Sequence, residues 1–494
     1  MNKSVALILA VVMVLGLVAG CAQPTPQVID RPVTVVVEKE VPVEKQVVNT
    51  VIVEKEKVVE KQVISTVVVE KQVEVEKPVT VVVEKAVQNP VKLVFWHPQQ
   101  PDDFRGKLLD SMIQEFMKEY PWITIESVYQ GNYTDLYKKI MAAISAGEWP
   151  QIAVSYPSMI AEYMKANEVI PLDSYIFSKD VGLSEEDMKD IFPGFLEECR
   201  IPSFGNQYLA WPFTKSFLGM YYNLTLLKEA GFSAPAKTWA EFEEHCNAVK
   251  AKTGKMGYAF YESASTFDGF LYSRGVRQLD PTETTAIFNG PEGIESLAML
   301  NRMIEKGGAV KPEGNYADQA EFGKGNVAYT IASTSGTNYY KQAIEQGIGA
   351  GKIEWGQTNI PQADPNNPAT VMYGGSMCVF RSTADQQLAS WLFLKWLVGT
   401  KQTAKWASGS GYMPVRASAA AELKDFFAAN PVVKEQFETI VPYGIPEPSV
   451  RGEQEIRTFI EEAWTASITG LMTPKEALDD AVKKANEALA RGRE

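Results

Sequence analysis

Residues 209–223 read LAWPFTKSFLGMYYN, and this stretch decides the predicted fold. It opens on an apolar segment around Trp211 and closes on an apolar, strand-like segment, but Thr214, Lys215 and Ser216 make its middle polar. A chain has this pattern where it leaves one domain, lines a cleft and enters another. The stretch therefore predicts two domains that meet at a cleft, with this segment as one crossing between them.

Strands and helices alternate on the N-terminal side of this stretch. Apolar periodicity predicts strands at 92–95, 123–128 and 151–156, and helices at 104–117 and 133–146. Alternation of this kind builds a largely parallel sheet, whose ligands bind beyond the carboxyl ends of its strands. Trp96, His97 and Tyr133 are therefore candidates for the cleft edge, although His97 fits a structural hydrogen bond equally well.

A second α/β run follows the stretch, which predicts a two-lobe α/β fold. Thr238 and Glu241 form a capping box at the start of a helix, and Gly374 and Gly375 separate two predicted strands. Further elements are predicted at 256–260, 291–306, 322–333, 384–398, 454–469 and from 474 onward. We expect crossings near residues 214, 330 and 376, so several segments form the hinge. The predicted organisation is lobe 1 at 91–213, lobe 2 at 214–328, a return to lobe 1 at 329–375, and 376–494 mainly in lobe 2 with the C-terminal helices at the hinge.

The N-terminal 90 residues differ in composition from the rest. The apolar run within 1–20 is shorter than a membrane span and predicts a signal peptide. LVAGC at 17–21 resembles a lipobox, which would make Cys21 the lipid-attached residue of an anchor segment at 21–32. An ordinary signal peptide with an incidental cysteine is the alternative. Residues 33–90 repeat Val, Glu and Lys with a period of two, which favours an extended tether or stalk over a disordered linker, and either would act as a spacer.

Composition and motifs exclude several classes of function. A formal net charge of −13 argues against a nucleic-acid partner. Only 2 histidines are present, which excludes a histidine-rich zinc site, and we expect neither metal nor cofactor. The chain has no GxSxG, Walker A or HExxH motif. His245, in an acidic amphipathic helix, is predicted to lie at the surface. Cys199, Cys246 and Cys378 are predicted to be buried thiols, although one disulfide is possible.

Aromatic and hydroxyl side chains at loop positions favour carbohydrate recognition. Sugars and polyols are bound by flat apolar faces together with hydrogen-bonding groups around them. Four residues could supply the faces, namely Tyr133, Trp211, Trp239 and Tyr412, and each of them also fits a place in a hydrophobic core. Arg457, near the start of a helix, could be a surface charge or could bind a phosphate or carboxylate.

Together these motifs resemble extracellular solute-binding protein family 1, the substrate-binding lipoproteins of ABC importers, and within it the glycerol-3-phosphate-binding proteins. The resemblance spans residues 91–491 and implies a type II periplasmic binding protein-like fold. It implies ligand contacts from the GNY turn, the crossing, the KTW cap, a TxA strand end, the GG hinge, the GYxP loop and the last long helix. In this chain these positions are Tyr133, Ser216, Trp239, Ser333, Gly375, Tyr412 and Arg457. Trp96, His97 and Trp211 are less certain candidates. The family's ligand-binding glutamate is absent from 154–157, which reads VSYP.

The resemblance implies capture of a small polar solute and its delivery, unaltered, to the permease subunits of an ABC importer. Arg457 with Ser216 and Ser333 favours glycerol-3-phosphate or a glycerophosphodiester, whereas the absent glutamate and the additional aromatics favour a neutral sugar. We expect an exported monomer that is lipid-anchored to the outer face of the cytoplasmic membrane. The alternatives are a secreted glycan-acting hydrolase and a structural surface protein.

Overall fold

The computed structural model describes residues 89–493 of the 494-residue chain. The predicted signal peptide, Cys21 with its anchor segment, and the repeat tether up to residue 88 lie outside the described residues. Both predicted lobes lie within them. Among the described residues, no helix combines the length and the apolar character needed to cross a membrane.

The described chain alternates strands and helices, as predicted. In chain order the strands are β1 (Val91–His97), β2 (Ile123–Tyr129), β3 (Ile152–Ser155), β4 (Arg200–Ile201), β5 (Gln207–Tyr208), β6 (Trp211–Pro212), β7 (Ser216–Asn223), β8 (Met256–Ala259), β9 (Ala309–Val310), β10 (Val327–Ser333), β11 (Trp355–Asn359), β12 (Thr370–Tyr373), β13 (Ser376–Val379) and β14 (Gly444–Pro446). The helices are α1 (Phe104–Glu119), α2 (Tyr133–Ala146), α3 (Pro157–Tyr163), α4 (Asp173–Ile176), α5 (Glu185–Asp190), α6 (Pro193–Glu197), α7 (Leu224–Glu229), α8 (Trp239–Thr253), α9 (Ala264–Tyr272), α10 (Pro291–Glu305), α11 (Ala317–Gly323), α12 (Thr337–Gln346), α13 (Ala384–Leu397), α14 (Thr400–Ser410), α15 (Ala419–Glu422), α16 (Lys424–Ala429), α17 (Pro431–Thr439), α18 (Glu453–Ile468) and α19 (Pro474–Arg493).

Local capping explains why the predicted helix bounds hold. Helix α2 begins after Asn132, whose side chain accepts from the Asp135 amide in a reciprocal capping box, and it ends at Gly147 in the left-handed conformation, φ 77°. Helix α8 begins in the same way after Thr238. Each cap satisfies backbone groups that a helix end leaves unpaired.

Two sheets define two lobes. The first lobe carries the sheet β2-β1-β3-β13-β6, in which β1 pairs in parallel with β2 and β3, and β13 is antiparallel to β3 and β6. The second lobe carries the sheet β14-β12-β7-β10-β8-β9, with β11 also paired to β7. Each sheet has its own core of buried apolar side chains. The long strand β7, the second half of the predicted crossing, forms the centre of the second sheet.

The chain crosses between the lobes at β6–β7, at β12–β13 and just before β14. The predicted crossing near residue 330 is wrong, and with it the return of 329–375 to lobe 1, because β10 and β12 both pair with β7 in the second sheet. The hydroxyl-rich segment after β10 instead leads into α12, whose Tyr340 ring stacks on Tyr221 at 3.7 Å. Residues 376–494 also divide differently, since β13 and α13 pack in the first lobe, and β14, α18 and α19 in the second.

Three smaller predictions were tested by the structure. The strand predicted at 322–333 begins only at Val327, because 317–323 is helical. His245 is buried rather than at the surface, since its ring stacks on Phe232 at 3.7 Å and its Nδ1 lies 2.8 Å from the Tyr329 hydroxyl. The prediction of buried free thiols is confirmed for Cys199, Cys246 and Cys378.

Candidate functional site

The crossing strands hold one another in a fixed arrangement. The amide of Thr214 donates to the Gly375 carbonyl at 2.9 Å, and the Gly375 amide donates to Thr214 Oγ1 at 3.0 Å. Gly374 has φ +130°, a backbone conformation that favours glycine. The predicted glycine hinge is thus a tight contact between two crossings, not a flexible linker.

A buried lysine lies at the same junction. Lys215 is fully buried, its Nζ forms an ion pair with Glu198, and it donates to Ser376 Oγ at 2.7 Å. Burial lowers the pKa of Lys215 well below its ordinary value, since a charge is unfavourable away from water. Glu198 belongs to the first lobe and Ser376 to the second crossing, so this cluster joins both crossings to the first lobe.

Three tyrosines form the first-lobe wall of the cleft. Tyr133, at the first turn of α2, stacks on Tyr156 with ring centroids 4.5 Å apart, and its hydroxyl lies 3.0 Å from Thr214 Oγ1. Burial raises the pKa of Tyr133, and the neighbouring Tyr412 raises it further. A Cβ at Gly375 would lie 2.9 Å from the Tyr133 hydroxyl oxygen. The structure therefore brings together the predicted residues Tyr133, Gly375 and Tyr412.

Ends of second-lobe strands form the opposite wall. Ser216, at the start of β7, donates to the Tyr373 carbonyl at 3.4 Å, and Ser333, at the end of β10, has its Oγ 2.9 Å from Ser335 Oγ. Tyr261 follows β8 and is 45% exposed, yet it lies near enough to Tyr373 to raise that residue's pKa. Tyr261 was not predicted, although its position after the carboxyl end of a strand was a usable signal.

Arg457 lies at this wall with a carboxylate partner. Its Nη1 donates to Glu447 Oε1 at 2.6 Å and its Nη2 donates to Ser265 Oγ at 3.0 Å. Burial disfavours the guanidinium charge, but Glu447 and then Tyr156 outweigh it and hold the pKa of Arg457 above its ordinary value. Tyr156 is on the first lobe, and Arg457 and Glu447 lie close enough to it to affect its pKa.

Two further carboxyl groups lie beneath Arg457. Asp268 is fully buried and neither of its side-chain oxygens has a hydrogen-bond partner within the described chain. Glu453 is also buried and accepts from Gln278 Nε2 at 3.2 Å. Burial raises the pKa of Asp268 well above the usual range, and the negative charge of Glu447 raises it further. Burial likewise raises the pKa of Glu453 well above the usual range, and Asp268 raises it further. The surroundings of Arg457 are therefore rich in acidic groups.

One arginine bridges the lobes at the edge of the cleft. Arg105, at the start of α1, donates to the carbonyl of Ser410 in its own lobe at 2.9 Å and to that of Ser335 in the second lobe at 2.6 Å. Its guanidinium lies 4.6 Å from the ring centroid of Tyr412 and 4.9 Å from that of Tyr339, again one from each lobe. Sequence reasoning missed Arg105, because its partners are more than 200 positions away.

A second bridge lies between α3 and α18. The Gly452 amide donates to Glu162 Oε1 at 2.7 Å, and Gln454 Nε2 donates to Ser158 Oγ at 2.9 Å. Glu162 and Ser158 belong to the first lobe, whereas Gly452 and Gln454 belong to the second. These hydrogen bonds join the two lobes outside the hinge, as the contacts of Arg105 do.

The four remaining candidates pack within the lobes. Trp239 is buried in the second lobe between Phe270 and Arg274, and its Nε1 donates to Ser273 Oγ at 3.0 Å. Trp211 is fully buried against Trp391, with ring centroids 5.3 Å apart. Contact of these two tryptophans with a solute stays a prediction.

His97 and Trp96 lie at the end of β1 in the first lobe. His97 is buried, its Nε2 is 2.8 Å from Ser127 Oγ, and burial lowers its pKa to about 4. Trp96 is half-buried and packs against the first-lobe core. The hydrogen bonds of His97 fit the alternative interpretation of this residue, a structural hydrogen-bonding role. The predicted lipid-attachment residue, Cys21, lies outside the described residues. Among the described residues, no group of three or more His, Cys, Asp or Glu is placed to hold a metal ion.

Two α/β lobes joined by three crossings, with polar and aromatic side chains facing each other between them, define a binding protein of the two-lobe type. Solved structures share this fold. The cyclic alpha-maltosyl-1,6-maltose binding protein from Arthrobacter globiformis matches with a TM-score of 0.69 and 22% identity, over 82% of this chain and 100% of that one. UgpB from Mycobacterium tuberculosis in complex with glycerophosphocholine matches with a TM-score of 0.69 and 18% identity, over 81% and 99%.

The chain belongs to the bacterial extracellular solute-binding protein family, whose model matches residues 111–435. Individual relatives are also binding proteins by name. The sn-glycerol-3-phosphate-binding periplasmic protein UgpB of Salmonella typhimurium is 27% identical over 417 residues, and that of Escherichia coli K12 is 26% identical over 416 residues. Each match covers 80% of this chain and 92% of the relative. The predicted family is therefore confirmed, and the protein is a solute-binding protein of the kind that serves ABC importers.

Proposed function

We propose that the chain captures a hydroxyl-rich, carbohydrate-type solute between its two lobes and delivers it to the permease of an ABC importer. The observation that supports this most is the pairing of aromatic faces with hydroxyl groups across the cleft. The rings of Tyr133 and Tyr156 stack on each other in the first lobe, and in the second lobe the hydroxyl-bearing residues Tyr261 and Ser333 lie at the carboxyl ends of β8 and β10. Aromatic faces pack on sugar C–H groups while hydroxyls exchange hydrogen bonds with the solute.

Two ligand classes fit this cleft. A glycerol phosphate or glycerophosphodiester is supported by Arg457, by the hydroxyl groups of Ser216 and Ser333, and by relatives named for glycerol-3-phosphate. A neutral sugar is supported by the tyrosines and by the ion pair that already engages Arg457. The proposed binding set consists of six of the predicted residues, namely Tyr133, Gly375, Tyr412, Ser333, Ser216 and Arg457.

The solute leaves the protein unchanged under this proposal. A binding protein needs a cleft that closes and opens, and two lobes on a defined hinge provide that motion. The competing class, a glycan-acting hydrolase, predicts products when the protein is incubated with candidate oligosaccharides. Chromatography of such mixtures should show unaltered oligosaccharide, and any turnover lost on mutation of a cleft carboxylate would contradict the proposal.

The proposal also places the protein outside the cell. The family description is extracellular, and the signal sequence with the lipobox-like LVAGC supports export and acylation at Cys21. The repeat at 33–90 would then separate a monomeric binding domain from the membrane surface. Metabolic labelling with a fatty acid should mark the wild type and leave a Cys21→Ala variant unlabelled.

A thermal-shift screen tests the binding function. Sugars, polyols and their phosphates are added singly to the protein, and a solute that binds only the folded state at about 100 times its Kd stabilises it by about 2.7 kcal/mol. We expect at least one member to raise the Tm. Tyr133→Ala should abolish that rise, whereas Tyr316→Ala, which alters an exposed second-lobe tyrosine, should retain it. A panel without any stabilising member would contradict the proposal.

A further inference from the structure

We infer that Glu447 sets the charge preference of the cleft, so that the site accepts an uncharged, hydroxyl-bearing solute and disfavours phosphate esters. This inference rests on the proposed function, namely that the solute binds between the lobes. It separates the two ligand classes that the proposed function leaves together.

Two of the five N–H donors of Arg457 are already engaged. Its Nη1 and Nη2 donate to Glu447 Oε1 at 2.6 Å and to Ser265 Oγ at 3.0 Å, and Ser265 in turn donates to the same Glu447 oxygen at 2.7 Å. The three side chains form a closed ring of hydrogen bonds from three separate elements. A phosphate needs two forked N–H groups of an arginine for bidentate binding. On the Nη1–Nη2 side it would have to displace Glu447, and elsewhere on the guanidinium it would lie beside the Glu447 carboxylate.

Displacement of Glu447 is unfavourable at this place. The Glu447 and Arg457 side chains are only 14% and 20% exposed, so a displaced carboxylate would lose its partner while still shielded from water. It would also remain close to the incoming phosphate, and like charges at short range repel. The buried Asp268 and Glu453 behind Arg457 provide no compensating positive charge.

A neutral solute meets no such obstacle. In the described chain the hydrogen bonds of Glu447 all use Oε1, which leaves Oε2 able to accept from a solute hydroxyl. The resemblance implies a hydroxyl-binding glutamate after the third strand, where residues 154–157 of this chain read VSYP. Glu447, on the second lobe, lies close enough to Tyr156 on the first lobe to raise the pKa of that phenol. Glu447 can therefore offer a carboxylate oxygen to a solute hydroxyl from the second lobe, beside the arginine.

Titration of phosphate esters against a charge variant tests this assignment. Glycerol-3-phosphate and glycerophosphocholine are titrated by calorimetry into the wild type and into Glu447→Gln, in which the amide oxygen can still accept from Arg457 and Ser265. We expect the affinity for glycerol-3-phosphate to rise at least about tenfold in E447Q, which corresponds to about 1.4 kcal/mol. Adding Arg457→Gln to E447Q should remove the gain.

The control is Glu462→Gln, which removes one negative charge from an exposed position of α18 and should leave phosphate binding unchanged. Thermal unfolding of each variant checks that it is folded. If the wild type binds either ester at least as tightly as E447Q does, the inference is wrong, while capture of a solute between the lobes stands. If no sugar, polyol or phosphate ester stabilises the wild type but E447Q still gains phosphate affinity, the proposed solute class fails and the role of Glu447 stands.

Discussion

Replacement of Arg105 by alanine should weaken solute binding without unfolding either lobe. Arg105 donates to Ser335 in the opposite lobe and lies over the ring of Tyr339, also in that lobe, while its other contacts are within its own lobe. We expect it to stabilise the closed, solute-bound form, because these two contacts require the lobes to be together.

The magnitude follows from those two contacts. A hydrogen bond from a charged donor contributes about 1.5–3 kcal/mol, and an exposed cation–π contact about 0.5–1 kcal/mol. Arg105 is half-buried, so we expect the lower part of the combined range, about 2 kcal/mol. Since about 1.4 kcal/mol corresponds to tenfold, the dissociation constant should rise by about thirtyfold.

Calorimetric titration with the solute found by the thermal-shift screen measures this change. Arg200→Ala is a matched control, because Arg200 also lies over a tyrosine ring, that of Tyr208 at 4.8 Å, and donates to a backbone carbonyl, but entirely within the first lobe. It should bind the solute as the wild type does. An Arg105→Ala variant with wild-type affinity would refute the idea that this arginine stabilises closure.

Three further predictions concern the hinge and the buried carboxyl groups. Lys215→Met leaves the Glu198 carboxylate buried without its partner and should lower the free energy of unfolding by about 3–5 kcal/mol. Urea unfolding measures this loss, and adding Glu198→Gln to the variant should restore part of the lost free energy. Gly375→Ala places a Cβ 2.5 Å from the nearest side-chain atom and should lower the free energy of unfolding by about 1–3 kcal/mol. The control Gly194→Ala, whose Cβ would have no neighbour closer than 3.6 Å, should be tolerated. Equal urea-unfolding midpoints for the two variants would contradict this expectation. Asp268 has a raised pKa in the folded state, so the unfolded chain releases this proton at lower pH. Above the ordinary aspartate pKa of about 3.9, its contribution to stability therefore falls with rising pH by up to about 1.4 kcal/mol per unit until the folded-state pKa is passed. Asp268→Asn should make urea-unfolding free energies fall less between about pH 5 and pH 8 than in the wild type, and identical slopes would show that this carboxyl group is not held protonated.

Local signals in the sequence predicted most of the elements. Helix α2 is bounded by a capping box at Asn132 and by Gly147, and both signals lie within a few residues of the helix end. The glycine pair at 374–375 likewise marks the turn between β12 and β13. Such features are set by backbone conformation, which the local residue types determine.

The pairing of distant segments could not be predicted in this way. Strand β10 ends in a hydroxyl-rich segment that resembles a crossing, but its antiparallel pairing with β7 keeps it in the second lobe. Strand partners depend on tertiary contacts that a single strand's pattern does not encode. The erroneous division of 329–494 between the lobes follows from this strand and from the unpredicted crossing before β14.

The residues of the candidate site likewise divide into those that local motifs predicted and those that depend on distant partners. Tyr133 and Gly375 lie in recognisable turns and meet at the cleft, as their motifs predicted. Arg105 and Glu447 were missed because their roles arise from partners far away in sequence or in other elements. His245 was misassigned since a polar residue in an acidic helix can still be buried when a tyrosine hydroxyl satisfies it.

Solute binding between the lobes is tested most directly by a crystal structure with the solute that the thermal-shift screen identifies. We predict electron density for that solute between Tyr133 and Tyr156 of the first lobe and Ser333 and Tyr261 of the second. A solute bound to one lobe alone, or at a surface remote from these residues, would contradict it.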